Sequence, residues 1–239
     1  MISCARVMLI VMMALFVGCA PTKQARSMEK SGFLGDLYPL MHKGEKGEAL
    51  LVYKNPRVAQ IPRGTYTKML LEPVTVWGPP ASEQLSSHQK DLQHVANMLY
   101  SQAYEQLKKD YDMVSSPGPN TLRIQAAITR ADQSYVVLRA VSTIPAPMNV
   151  LALGSLLKDL GTGKPAFVGE ASIEMKISDA QTGEILGASA DRRVGKRHLD
   201  ADSFDSWDDV HKTLAFWAEQ VRYRLCQERG GSNCTPPKA

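Results

Sequence analysis

The feature that most constrains this chain is a pair of segments, residues 167–178 and 184–195, joined by Asp179-Ala180-Gln181-Thr182-Gly183. In the first segment the odd positions are Phe167, Gly169, Ala171, Ile173, Met175 and Ile177. The even positions are Val168, Glu170, Ser172, Glu174, Lys176 and Ser178. Alternation of this length belongs to an extended strand with one buried face and one turned towards water, because a helix would scatter the same residues around its circumference. Asp179 and Gly183 supply turn chemistry, with glycine free to take a positive φ where the chain reverses. Beyond the turn, Leu186, Ala188 and Ala190 form an apolar set opposed by Ser189, Asp191 and Arg193. The small residues in that set predict a helix packed closely over the strand. A hairpin closing symmetrically about Gln181 and Thr182 sets Glu170 beside Arg193 and Ser172 beside Asp191. Opposite charges across two strands contribute a few tenths to about 1 kcal/mol per pair on a wet face. The alternative is that Glu170, Asp191, Arg192 and Arg193 form a binding surface.

With 239 residues, 44% hydrophobic and 22% charged, the chain is long enough to bury a sizeable core as one domain or two small ones. A formal charge of +4, with Lys and Arg spread along the chain, excludes a nucleic-acid partner as the natural reading.

Residues 1–18 carry one cation, Arg6, followed by an apolar run from Val7 to Val17. That run is shorter than the 20 or so residues needed to span a bilayer and has the layout of a secretory signal. Leu15-Phe16-Val17-Gly18-Cys19 resembles the bacterial lipobox, in which the cysteine after the cut becomes acylated. Phe16 departs mildly from the usual aliphatic residue, and Ala20 resembles the signal for sorting to the outer membrane. Cys19 is thus the expected site of a lipid anchor such as palmitate, at about 0.8 kcal/mol per buried methylene. With Cys4 removed in the signal, Cys226 and Cys234 remain. An oxidising compartment favours a disulfide between so close a pair, against two free thiols or intermolecular pairing. No histidine stands near them at ligand spacing, so neither a metal nor a cofactor is expected.

Residues 19–48 read as a flexible tether, pinned in part by Phe33, Leu34, Tyr38, Leu40 and Met41; residues 49–229 read as one domain and 230–239 as a tail. Residues 49–53 and 65–77 are extended segments, the second placed at an edge, bulged or split by Pro73, which has no amide hydrogen to donate. Leu85, His88, Leu92, Val95, Leu99, Ala103 and Leu107 recur at helical spacing. His88 reads as structural, and His94 points to another side of that helix. Leu122, Ile124, Ala126 and Ile128 alternate as a half-buried strand. Between 132 and 165 the pattern dissolves into a weakly charged, apolar insert, read as a cover for the sheet or as a partner-binding or self-association element. Ser206-Trp207-Asp208-Asp209 caps a last helix with Trp207, Val210, Leu214, Trp217, Val221 and Leu225 on one stripe. Two amphipathic helices and a mixed, mostly antiparallel sheet predict an α/β (α+β) two-layer sandwich.

The lipobox, Ser31-Gly32-Phe33-Leu34, Glu72-Pro73-Val74-Thr75-Val76-Trp77, Phe167-Val168-Gly169-Glu170-Ala171, Thr182-Gly183-Glu184 and Asp191-Arg192-Arg193 occur in that order. Together they resemble a family of bacterial outer-membrane lipoproteins known only as a domain of unknown function (DUF thirty-three thirteen). The resemblance spans nearly the whole mature chain. It implies an outer-membrane lipoprotein with a periplasmic α/β domain, and no activity to carry over. The layout is also similar, as fold analogy alone, to envelope accessory lipoproteins such as curli-type secretion subunits.

Three functions follow as expectations. A non-enzymatic binding or scaffold protein of the cell envelope, held to the membrane by its lipid, fits the lack of a nucleophile elbow, a metalloprotease helix or a phosphate loop. A subunit of an oligomeric export or pore assembly would use the insert for contacts between copies or with another envelope protein. A periplasmic hydrolase would draw on Glu170, Asp191 and His198.

Overall fold

In the computed structural model, residues 22–77, 86–132, 170–195 and 208–237 are described. The signal segment, Cys19, the insert beyond Asp132, His198 and Trp207 lie outside the described residues, as do the side chains of Leu85, His88 and Glu170.

The described strands are β1 (Thr22–Gln24), β2 (His42–Lys43), β3 (Leu51–Lys54), β4 (Lys68–Leu71), β5 (Thr75–Val76), β6 (Asp112–Met113), β7 (Thr121–Asp132), β8 (Glu170–Asp179) and β9 (Ile185–Gly195). They join in one open sheet of order β2-β3-β9-β8-β7-β4-β6, with β1 also on β9 and β5 also on β7. Pairings among β4, β5, β6 and β7 are parallel and the rest are antiparallel. Helices α1 (Ser86–Leu107) and α2 (Asp208–Glu228) pack side by side on one face. This is the mixed, mostly antiparallel α/β arrangement that the sequence predicts. Pro73 splits its segment into β4 and β5, both of which pair with β7.

The helix-side core follows the two stripes. Val95, Leu99 and Leu107 of α1 and Val210 and Leu214 of α2 are all buried, against Ile124 and Ile128 of β7 and Ile173 of β8. Each large apolar side chain so buried stabilises the fold by about 1.5–3 kcal/mol relative to exposure.

The turn between β8 and β9 is built by Asp179. Its Oδ1 accepts hydrogen bonds from the amides of Gln181 at 2.9 Å and Thr182 at 2.8 Å, and Gly183 takes φ +75°. From there the register departs from the symmetric expectation. Ser178 pairs with Ile185 but Ile177 pairs with Gly187, a bulge that inserts Leu186 as an extra residue. One inserted residue shifts every later pair and exchanges the faces of β9. Glu170 therefore pairs with Val194, and Ser172 with Arg192, not with Arg193 and Asp191.

The second face of the hairpin is not wet. Ser172, Glu174 and Ser178 are buried, Glu174 to 0% exposure. The covering layer is the stretch that the sequence presents as a tether. Residues 22–24 form β1 on β9, residues 35–40 form a short 3₁₀ helix, and Leu34 packs on Ala188 and Ala190 with Met28, Leu37 and Met41 around them. The small residues of β9 do receive a helical segment, but it is this 3₁₀ turn, not a long helix.

Cys226 and Cys234 are joined by a disulfide with Cα atoms 5.6 Å apart. The bond closes a short loop after α2, and on the chain-entropy account it stabilises the fold by about 2.5 kcal/mol. Cys234→Ser is expected to lower stability by up to that amount, measured as a shift in the urea midpoint; an unchanged midpoint would show that the loop is held without the bond.

The end of α1 is tied to α2 through Asp110, whose carboxylate meets Arg222 at 2.7 Å and Arg229 at 2.7 Å. Burial disfavours its charge, but the hydrogen bonds and charges of the two arginines outweigh burial and hold the carboxyl below its ordinary value. A lowered folded pKa stabilises above the unfolded pKa of about 3.9, and that stability is lost as pH falls through the folded value. Asp110→Asn is expected to be less stable than the parent at pH 7 and nearly equal to it at pH 2. Denaturant titrations at the two pH values read this difference, and a gap that persists in acid would contradict it.

Candidate functional site

Asp191, Arg192 and Arg193 alternate across the sheet, and this separates them. Arg192 faces the N-terminal layer, where Nη1 donates to the carbonyl of Ser27 at 3.3 Å. Arg193 and Asp191 face α2 and are 8% and 2% exposed. The Arg193 guanidinium lies 3.7 Å from the ring centre of Phe216. The expected binding surface of Glu170, Asp191, Arg192 and Arg193 is therefore corrected: its described members sit on two faces, Asp191 and Arg193 buried under α2 and Arg192 half-buried on the opposite side.

Asp191 occupies a particular point on β9. Up to Ala190 the outer partner of β9 is β3, and from Arg193 it is β1. At the gap, Asp191 Oδ1 accepts from the Leu50 amide at 3.1 Å and from Gln24 Nε2 at 2.7 Å. Its Oδ2 accepts from Trp217 Nε1 at 2.8 Å. One carboxylate thus joins β1, the start of β3 and α2.

Glu174 does the same on the other face. Its cross-strand neighbours are Ala127 and Ala190, whose short side chains leave room above the carboxylate. Into that room come the Ser31 amide at 3.0 Å, Ser31 Oγ at 2.8 Å and the Tyr38 hydroxyl at 2.6 Å. Gly32 takes φ +95° beside this contact, a conformation that a β-carbon would strain. Phe33 then stands edge-on to Trp77 at 5.5 Å, with Lys176 Nζ 5.2 Å from its ring centre. The Ser31-Gly32-Phe33-Leu34 motif is the clasp of the N-terminal layer.

With both carboxylates committed to structure, a feature of the described residues that is shaped for a ligand is a cavity of about 320 Å³ between the sheet and α2. Its walls are apolar: Leu99 and Ala103 of α1, Ile124 of β7, Met175 of β8 and Trp217 and Val221 of α2. Alanines at 103, 126 and 218, on three elements that face one another, leave the gap unfilled. The exposed lining residues, among them Lys54, Arg63, Gly64 and Glu228, cluster where β3 and residues 58–66 meet the C-terminal half of α2, which marks the mouth. Tyr66 stands there with its hydroxyl donating to Asp179 Oδ2 at 2.9 Å; burial, then that bond and the nearby carboxylates, push its pKa up to about 12. The sequence carried no signal for this cavity, because it is made of small residues on three elements brought together only by folding.

Among the described residues no group of His, Cys, Asp and Glu is arranged to hold a metal ion, and no helix is long and apolar enough to cross a membrane. Asp191, one of the three residues of the hydrolase expectation, is buried beneath α2; His198 and the Glu170 side chain lie outside the described residues.

No curated protein matches the chain. Among solved structures it is similar to PelC dodecamers from Paraburkholderia phytofirmans. One, in space group C2, superposes with a TM-score of 0.35 and 7% identity over 76% of this chain and 96% of that one. Another, in space group P6, does so with a TM-score of 0.35 and 8% identity over the same shares, 76% and 96%. Likeness at that level carries no argument about function. A family model matches residues 29–221, most of the chain, and on that match the protein belongs to the family described as protein of unknown function (DUF3313).

Proposed function

We propose that this protein is a non-enzymatic binding protein of the cell envelope, anchored in the outer membrane through a lipid on Cys19 and facing the periplasm. The observation that carries the binding role is the apolar cavity of about 320 Å³ with a polar, exposed mouth. Its size falls within the roughly 300–1,000 Å³ of small-molecule sites, and apolar walls with a few polar groups at one end are the usual composition of such sites. The buried carboxylates that would otherwise suggest acid–base chemistry are saturated by hydrogen bonds that hold the layers together.

The test is a native mass spectrum of the mature protein, released from the envelope and carried into detergent-free buffer. A chain carrying a small-molecule adduct, lost in a cavity-filling Ala218→Trp variant of unchanged thermal midpoint, is the expected result. Parent and variant chains that both appear without an adduct, differing only by the mass of the substituted residue, would overturn it. The same spectrum counts the copies of the chain and so reads self-association directly. Cys19→Ser is expected to abolish labelling by palmitate and to leave the protein in the soluble fraction.

A further inference from the structure

The lining of the cavity along α2 runs from Trp217 to Arg229 and uses one face of the helix throughout: Trp217, Ala218, Val221, Leu225 and their neighbours. Around Val74, Leu99 and Trp217 the lining is apolar apart from Asp191, whose carboxylate is hydrogen-bonded to Trp217. Of the other formal charges that line it, Lys54, Arg63 and Glu228 are exposed.

The charges at the mouth are unequal in their freedom. Lys54 is paired with Glu228 at 2.7 Å, Arg224 lies 3.5 Å from Glu48, and Arg229 is held by Asp110 at 2.7 Å. Arg63 is exposed and, among the described residues, makes no ion pair. Its side chain lies against Gly230, where an added β-carbon would come within 2.8 Å of Arg63 Cδ. A planar guanidinium laid over the mouth offers two parallel donors to a carboxylate or phosphate, the geometry in which such pairs are strongest.

Resting on the binding reading above, we infer that the cavity holds the aliphatic chain of a single-chain anionic amphiphile, with Arg63 engaging the anionic head at the mouth. An apolar cavity with an exposed guanidinium among its lining residues matches such a molecule in both parts. The apolar walls favour burial of the chain, and the one carboxylate beside Trp217, that of Asp191, is already engaged by Leu50, Gln24 and Trp217. The source of the head, the carboxylate of a fatty acid or the phosphate of a lysophospholipid, is separated by experiment.

The experiment is calorimetric titration of the full mature protein with three probes below their micellar concentrations: palmitate, palmitoyl lysophosphatidylglycerol and uncharged monopalmitoylglycerol. One-to-one binding of at least one anionic probe, tenfold or more tighter than monopalmitoylglycerol, is expected. Arg63→Glu is an exposed change that leaves the fold intact; it should weaken the anionic probe at least tenfold and leave monopalmitoylglycerol within twofold. Ala218→Trp should abolish all three, and Val221→Phe provides a second blocked cavity should the first variant unfold. Palmitate alone would assign a carboxylate head, the lysophospholipid alone a phosphate, and both an anion of either kind. Equal binding of charged and uncharged probes, or an unmoved affinity in Arg63→Glu, would overturn the anionic assignment while leaving a binding protein in place. Absence of any probe binding, together with an adduct of other chemistry in the native spectrum, would overturn the amphiphile and keep the binding role. Absence of both would remove the two together.

Discussion

Replacing Glu174 by alanine is expected to destabilise the protein by about 3–5 kcal/mol, because it strands three donors at about 1–3 kcal/mol each, offset in part by their return to water. Three donors converge on this carboxylate, from Ser31 and Tyr38, and it is 0% exposed. A hydrogen bond to a charged group contributes about 1.5–3 kcal/mol, and the sum exceeds the expected loss because Ser31 and Tyr38 regain water when the N-terminal layer lifts. The effect should be local first. Hydrogen exchange is expected to show protection lost across residues 22–43 at denaturant concentrations where the helices stay protected. Glu174→Gln keeps the volume and removes the charge, and should cost less than the alanine. A midpoint shift worth under 1 kcal/mol, or uniform loss of protection through the chain, would show that Glu174 is not the clasp.

Asp191→Ala should be comparably severe, at about 3–5 kcal/mol, for a different reason. The change strands donors on three elements, the Leu50 amide, the Gln24 amide group and the Trp217 indole, and leaves the buried Arg193 without its neighbouring carboxylate. Trp217→Phe isolates one of these bonds and should cost about 1–3 kcal/mol, as expected when a buried polar atom loses a partner. A double-mutant cycle between the two positions is expected to give a coupling of about 1–2 kcal/mol, measured by urea unfolding of the single and double variants. Additive losses would mean that Asp191 holds β1 and β3 only, and that α2 docks through its apolar stripe alone.

Both residues are visible in the sequence as alternating positions of a hairpin, where the pattern turns them to water. Polar residues of a half-buried strand usually face solvent, but here the tertiary fold covers the second face as well. Within residues 22–48 the cluster Phe33, Leu34, Tyr38 and Met41 announces a pinning point, and these residues do pack on the sheet, but nothing local says which face they cover. The rest of the stretch is polar and nearly aperiodic, and it is ordered by contacts with Glu174, Lys176, Trp77 and Arg192, all remote in the chain. The Ser31-Gly32-Phe33-Leu34 motif is legible in the sequence, but its use follows only from the Glu174 carboxylate that it holds.

What the sequence determined by itself is whatever depends on periodicity and local chemistry. The 3.6-residue stripes of α1 and α2, the alternation of β7 and β8, the turn at Asp179 and Gly183 and the split at Pro73 follow from short-range rules that hold in any context. The tertiary structure alone decided what depends on a single inserted residue or on distant partners. The bulge at Leu186 exchanged the faces of β9, and so put Asp191 and Arg193 under α2 and Arg192 on the opposite face. The cavity likewise exists because alanines from α1, β7 and α2, unremarkable one at a time, meet across a gap that only the packed layers define. Register and volume belong to pairs of elements, and a single strand or helix read alone carries neither.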